Sequence, residues 1–139
     1  MHEPDHEYHD YIKNLNSLAS DMDADITEWE WFDALDGGVY HSDKYHIGIK
    51  KSLDIYSKRF TIAHELAHIA DATVDSGFCR FSEHRADTIA TNILTADEDF
   101  LSALEEYGGD FSYLCPIFGV SHEVIERKYR QLFPEKFKL

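Results

Sequence analysis

Two histidines and a glutamate pose the first question. His64-Glu65-Leu66-Ala67-His68 sets two imidazoles four residues apart, and in a helix such positions project from one face about one turn apart. Two ring nitrogens so placed suit a single tetrahedral zinc, and Glu65 then stands beside the ion as a base. The five-residue match is short, and the chain is rich in His and Glu, so the match alone decides little. Its surroundings add weight. Ile62, Ala63, Leu66, Ala67, Ile69 and Ala70 make this helix apolar on most sides. Two His and a Glu buried there without partners would be costly. A metal removes that cost, and a hydrogen-bonded pair of core histidines is the plainer alternative.

A catalytic site of the two-His, one-carboxylate kind needs a third protein ligand. The stretch Phe81–Leu94 reads as a second helix, with Ser82 as its N-cap. Glu83 and Asp87 lie one turn apart on one face of it. Glu83 then reaches the metal, while Asp87 accepts from the far nitrogen of a liganding His and fixes its tautomer. The plain reading of Glu83 is a first-turn carboxylate favoured by the helix dipole. Cys79 and His84 compete as ligands. A thiolate would close the site into a structural one, and His84 points about 100° away from Glu83 on an ideal helix.

The elements that must position these groups follow from periodicity. Tyr8, Tyr11, Ile12, Leu15, Leu18, Ala19 and Met22 keep helical spacing, which predicts an amphipathic helix from Glu7 to about Met22. The polar start, with His2, His6 and His9 nearby, reads as solvated terminus. Strands follow: Ile26 to Phe32, then Val39-Tyr40-His41 and Tyr45 to Ile49 as a hairpin around Ser42-Asp43-Lys44. The expected class is α+β, with a short, mainly antiparallel sheet before the histidine helix. Asp71 to Gly77 is expected to be loop. Beyond it come a stripe of Phe100, Leu101, Leu104 and Tyr107, a short helix with Phe111, Leu114, Ile117 and Phe118, and a last helix capped by Ser121. The last two superficially match a helix-turn-helix unit, with Arg127, Lys128, Arg130, Lys136 and Lys138 gathered there. A helical lid or docking surface fits the acidic remainder better.

At 139 residues the chain is expected to be a single domain, with 1–95 as core and 96–139 as a C-terminal helical subregion. The formal charge of -14 repels a phosphate backbone, so direct nucleic-acid binding is disfavoured and a cationic or neutral protein partner is favoured. Only Cys79 and Cys115 occur, too few for a disulfide framework, and no signal-like or spanning apolar run is present. A cytoplasmic protein without a membrane partner is expected.

Arg59 to Ile69, then Glu83 to Leu94, then Asp110 to Arg130 with its Phe-Gly-Val-Ser, resemble the ImmA/IrrE family of zinc metallopeptidases. The similarity spans about Tyr45 to Leu132. It implies a small zincin-like domain in which His64, His68 and Glu83 bind zinc, Glu65 is the catalytic base and Asp87 the supporting acid. It also implies a protein substrate, a helix-turn-helix repressor of a mobile element or stress locus. The glutamate helix ends in Ile93-Leu94-Thr95-Ala96 where the family often has Leu-Leu-Met-Pro, and the fourteen residues between His68 and Glu83 are short for the family.

The reaction expected of such a site is peptide hydrolysis with one Zn2+, or another divalent ion such as Mn2+, and Glu65 carrying the proton from water to the leaving amine. His46, Tyr107, Tyr113 and His122 are unranked candidates for the oxyanion donor. Tyr45, His46 and Ile47 are the expected substrate strand, because β-addition supplies backbone hydrogen bonds without demanding a sequence. Two rival classes stand beside this reading: a non-enzymatic acidic regulator that sequesters a DNA-binding partner, and a zinc module without turnover.

Overall fold

Ile47 and Ile49 carry the burial of the sheet, and the strand that holds them sits at its centre. The computed structural model describes residues 15–30, 37–74 and 81–137. Within them, α1 is helical at 15–21 and leads to β1 (Ala24–Trp29), β2 (Gly37–His41) and β3 (Tyr45–Lys50). Then come α2 (Ile55–Val74), α3 (Phe81–Leu94), α4 (Asp97–Tyr107), α5 (Phe111–Phe118), α6 (His122–Leu132) and a 3-10 turn at Pro134–Phe137. The class is α+β, as the periodicity predicts. The expected helix start before residue 15, the N-terminal histidines, Phe32, Gly77, Cys79 and Lys138 lie outside the described residues.

The sheet is mixed rather than mainly antiparallel. Its order is β1-β3-β2, with β1 parallel to β3 and β2 antiparallel to it through the expected Ser42–Lys44 turn. The most apolar strand gains most from two neighbours, so β3 takes the middle and β1 falls on its far side. This corrects the expected substrate strand. Both backbone edges of β3 are already paired, so Tyr45, His46 and Ile47 offer nothing to an added strand. Among the described residues the outer edges of β1 and β2 are the unpaired ones.

Ile47 and Ile49 pack with Ile62, Ala63, Leu66 and Ile69 of α2, and the same core continues through Ala90, Leu94, Phe100, Leu114, Val120 and Ile125. β2 also closes on α2. A Cβ at Gly37 would meet Thr61 Cγ2 at 2.6 Å and the Gly48 carbonyl at 2.8 Å, so only glycine allows this approach. α2 runs on to Val74, past the expected loop start at Asp71, because no Gly or Pro stops it there. α3 begins at Phe81, which puts Ser82 inside its first turn instead of at the cap.

Asp54 starts α2. Its Oδ1 accepts from the Ser57 backbone N–H at 2.9 Å and its Oδ2 from the Ser57 hydroxyl at 2.8 Å. These hydrogen bonds hold its carboxyl below the ordinary value of 3.8. A folded-state pKa below the unfolded one gives stability that is present above the unfolded value and lost as pH falls through the folded one. Asp54→Ala is expected to cost about 1 kcal/mol at neutral pH. Urea denaturation would show that cost shrinking in acid, below pH 3.8.

Candidate metal centre

α2 and α3 pack against each other more extensively than any other pair of elements, and the candidate site lies on that seam. They run antiparallel across it. His68 Nε2 meets Glu83 Oε1 at 2.8 Å, and His64, one turn earlier on α2, meets both Glu83 Oε2 at 3.2 Å and Asp87 Oδ1 at 2.8 Å. The two Nε2 atoms face each other at 3.1 Å. Among the described residues this is the one group of His, Cys, Asp and Glu whose donor atoms all fall within 4.8 Å of one another.

The arrangement suits a metal better than a core histidine pair. Ligand atoms about 2.0–2.1 Å from a tetrahedral ion lie about 3.3 Å from one another, and the three separations here run from 2.8 to 3.2 Å. Asp87 accepts from His64 Nδ1–H, which leaves the Nε2 lone pair facing the common point. Two imidazoles and a carboxylate are a donor set for zinc. Glu83 keeps most of its side chain in solvent, so the group opens outward at the α3 end. His84 is exposed and takes no part, in keeping with its angle on the helix.

Glu65 is buried beside this group. Burial pushes its carboxyl above the ordinary 4.5, His64 and His68 pull it back, and Glu83 pushes it up again. If Asp87 orients a ligand, Asp87→Ala weakens metal binding by about 10–100-fold while α2 and α3 stay helical. Competition against a chromophoric chelator measures that loss.

Residues 33–130 match the Peptidase M78 family, described as the IrrE N-terminal-like domain. The chain belongs to this family. M78 membership points to metallopeptidase-type or regulator-related function, and it encloses His64, Glu65, His68, Glu83 and Asp87. A solved structure of a Mycobacterium tuberculosis transcriptional regulator is similar in fold, with a TM-score of 0.67 at 18% identity. The match covers 91% of the M78 chain and 46% of the regulator, so the chain spans less than half of that protein. No curated protein matches the sequence. Among the described residues no helix is long and apolar enough to cross a membrane.

Neither His46 nor His122 belongs to the group formed by His64, His68 and Glu83. His46 is engaged on the sheet face opposite Ile47. Its Nδ1 meets Asp25 at 3.0 Å, its Nε2 meets Asp43 at 3.1 Å, and Tyr40 stacks on the ring at 4.9 Å. The Asp43 carboxylate raises its pKa above 6.5 against the opposing effect of burial, with Asp25 adding to the rise. His122 packs on Phe111, while Tyr107 and Tyr113 are exposed on α4 and α5.

Other residues tie the last helices of the M78 chain to α2 and α3, and the sequence reading missed them. Arg59 of α2 donates to the Phe118 and Gly119 carbonyls, both at 2.7 Å, where Gly119 ends α5 in the left-handed region. Arg127 lies 5.5 Å over the Phe60 ring. Lys128 is fully buried; its ammonium donates to Asn92 at 2.9 Å and pairs with Asp97. The basic residues of α6 are thereby engaged within the fold, since Arg127 also pairs with Glu123 and Arg130 with Glu126. That arrangement disfavours the helix-turn-helix reading of α5 and α6 as a DNA-binding unit.

Proposed function

We propose that this chain is a zinc-dependent endopeptidase that cleaves a partner protein, and that the partner is a helix-turn-helix repressor. The observation that carries the reading is the convergence of His64 Nε2, His68 Nε2 and the Glu83 carboxylate from two helices, with Glu65 buried beside them. His64, His68 and Glu83 would hold the ion, zinc or another divalent metal such as Mn2+. When bound, it would polarise the scissile carbonyl and acidify a water. Glu65 takes the proton from that water and returns it to the leaving amine; its burial suits this, because a raised carboxyl pKa favours a group that must both accept and release a proton near neutrality. Asp87 holds His64 in the tautomer that presents Nε2. The substrate lies extended along the outer edge of β2, the unpaired edge closest to the catalytic helix, since Gly37 abuts Thr61 one turn before Glu65.

Incubating the purified chain with a helix-turn-helix repressor separates this proposal from its rivals. Discrete fragments are expected, lost with a chelator and restored by zinc. Salt-weakened binding indifferent to chelator would mean an acidic sequestering protein. Stoichiometric metal without fragments would mean a module without turnover.

A further inference from the structure

α5 is apolar on every side. Of Phe111-Ser112-Tyr113-Leu114-Cys115-Pro116-Ile117-Phe118 only Ser112 is distinctly polar, and a helix of that composition belongs inside a core. Only one side of it is inside. Leu114 is fully buried, and Phe111, Cys115 and Phe118 pack against the core. Tyr113, Pro116 and Ile117, spaced i, i+3 and i+4, share the opposite face and stand in solvent, with Tyr113 62% and Ile117 47% exposed. Contiguous apolar surface on a helix that could have carried polar residues there marks an interaction site.

The charge around this face selects the occupant. Glu105 and Glu106 end α4 and Asp110 caps α5, all exposed, and among the described residues no Lys, Arg or His pairs with them. The basic residues on the neighbouring helix contribute little opposing field. Arg127 and Arg130 are paired to glutamates of α6 itself, and Lys128 is buried against Asp97. An apolar helix face with Asp110 at its head and exposed Glu105 and Glu106 at the end of the preceding helix, on a chain of net charge -14, complements a basic surface that presents an apolar side chain.

We propose that the outer face of α5 (Tyr113, Pro116 and Ile117, with Asp110 at its head and Glu106 at the end of α4) is an exosite that docks a basic protein partner away from the peptide-bond chemistry. The inference deepens the protease reading by naming where the substrate protein is held. It is a statement about binding, so it is tested without turnover. The partner chemistry is a cationic, amphipathic protein surface, the kind that DNA-binding domains carry.

The test uses the full chain with chelator present and a fluorescent synthetic helix that has lysines on one face and leucines on the other. Anisotropy is expected to show saturable one-to-one binding that salt weakens. Tyr113→Ser and Ile117→Ser are each expected to weaken it at least about tenfold, with helical circular dichroism retained because neither side chain belongs to the buried core. Glu106→Gln with Asp110→Asn is expected to flatten the salt dependence. Trp29→Ser, an exposed aromatic on the sheet, serves as the control and is expected to leave binding as it was. Unchanged affinity in both α5 variants overturns the exosite, as does equal weakening by Trp29→Ser. A wild-type dimer that Ile117→Ser dissociates also overturns it, assigning the face to a second copy of the chain. Failure of the chain to cut any protein bears on the protease reading and leaves these outcomes readable.

Discussion

Glu65→Gln is expected to keep one metal ion per chain and to lose peptide hydrolysis by about 10²–10⁴-fold. The amide is nearly isosteric with the carboxylate and sits in the same buried position, so packing around Leu66 and Ile62 is preserved. What it removes is the capacity to hold a proton between its capture from water and its release to the leaving amine. None of the three side chains that would hold the ion is touched. Metal content by atomic absorption and cleavage by gel densitometry, on the same preparation, give the two readouts. Wild-type cleavage by Glu65→Gln would remove Glu65 from the chemistry and leave the convergence of His64, His68 and Glu83 needing another purpose.

His68→Ala is expected to lose metal and activity together. Among the described residues three side chains converge, and His68 supplies one of the two nitrogens, so its loss leaves His64 and an exposed carboxylate. Two ligands from separate helices hold zinc far more weakly than three. The fold is expected to persist: Ala is the best helix former, and His68 is only partly buried, with its ring next to His64 and Glu83 and not within the Ile47–Leu66 core. Retained helical circular dichroism with no bound zinc is the expected pair of results. Stoichiometric zinc in His68→Ala would place the ion elsewhere.

The convergence of His64, His68, Glu83 and Asp87 was more legible in the sequence than the sheet was, for a physical reason. His64, His68, Glu83 and Asp87 depend on helical spacing within two helices, and the helical period is local. The junction of the helices was less legible, because α2 continues to Val74 where a loop was expected, and residues after it lie outside the description. Strand order is set by distant pairing. Nothing in Ala24–Trp29 announces that it will lie parallel to β3 across the sheet from β2. The apolar run of Ile47 and Ile49 could have signalled a central strand, since burial of both edges suits the most apolar segment. Treating that strand as a free edge placed the expected substrate on backbone that is already paired.

Polar residues that act through tertiary contacts were the least visible. Lys128 looks like part of a surface basic cluster, because Lys is almost never fully buried. Only packing of α6 against α3 reveals that its ammonium reaches Asn92 and Asp97. His46 looked available as a donor until Asp25, twenty-one residues away, was brought beside it by the β1–β3 register. Asp54 was within reach of sequence reasoning: a carboxylate three residues before Ser57, at the head of an apolar run, is an N-cap signature.

X-ray absorption at the zinc edge, on the full chain loaded with one equivalent of zinc, reads the ligand set itself. The expected spectrum is a shell of nitrogen and oxygen at about 2.0–2.2 Å, with imidazole scattering from two histidines and no sulfur, and loss of one imidazole contribution in His68→Ala. A sulfur shell at about 2.3 Å, or a zinc spectrum unchanged by both His68→Ala and Glu83→Gln, would contradict it.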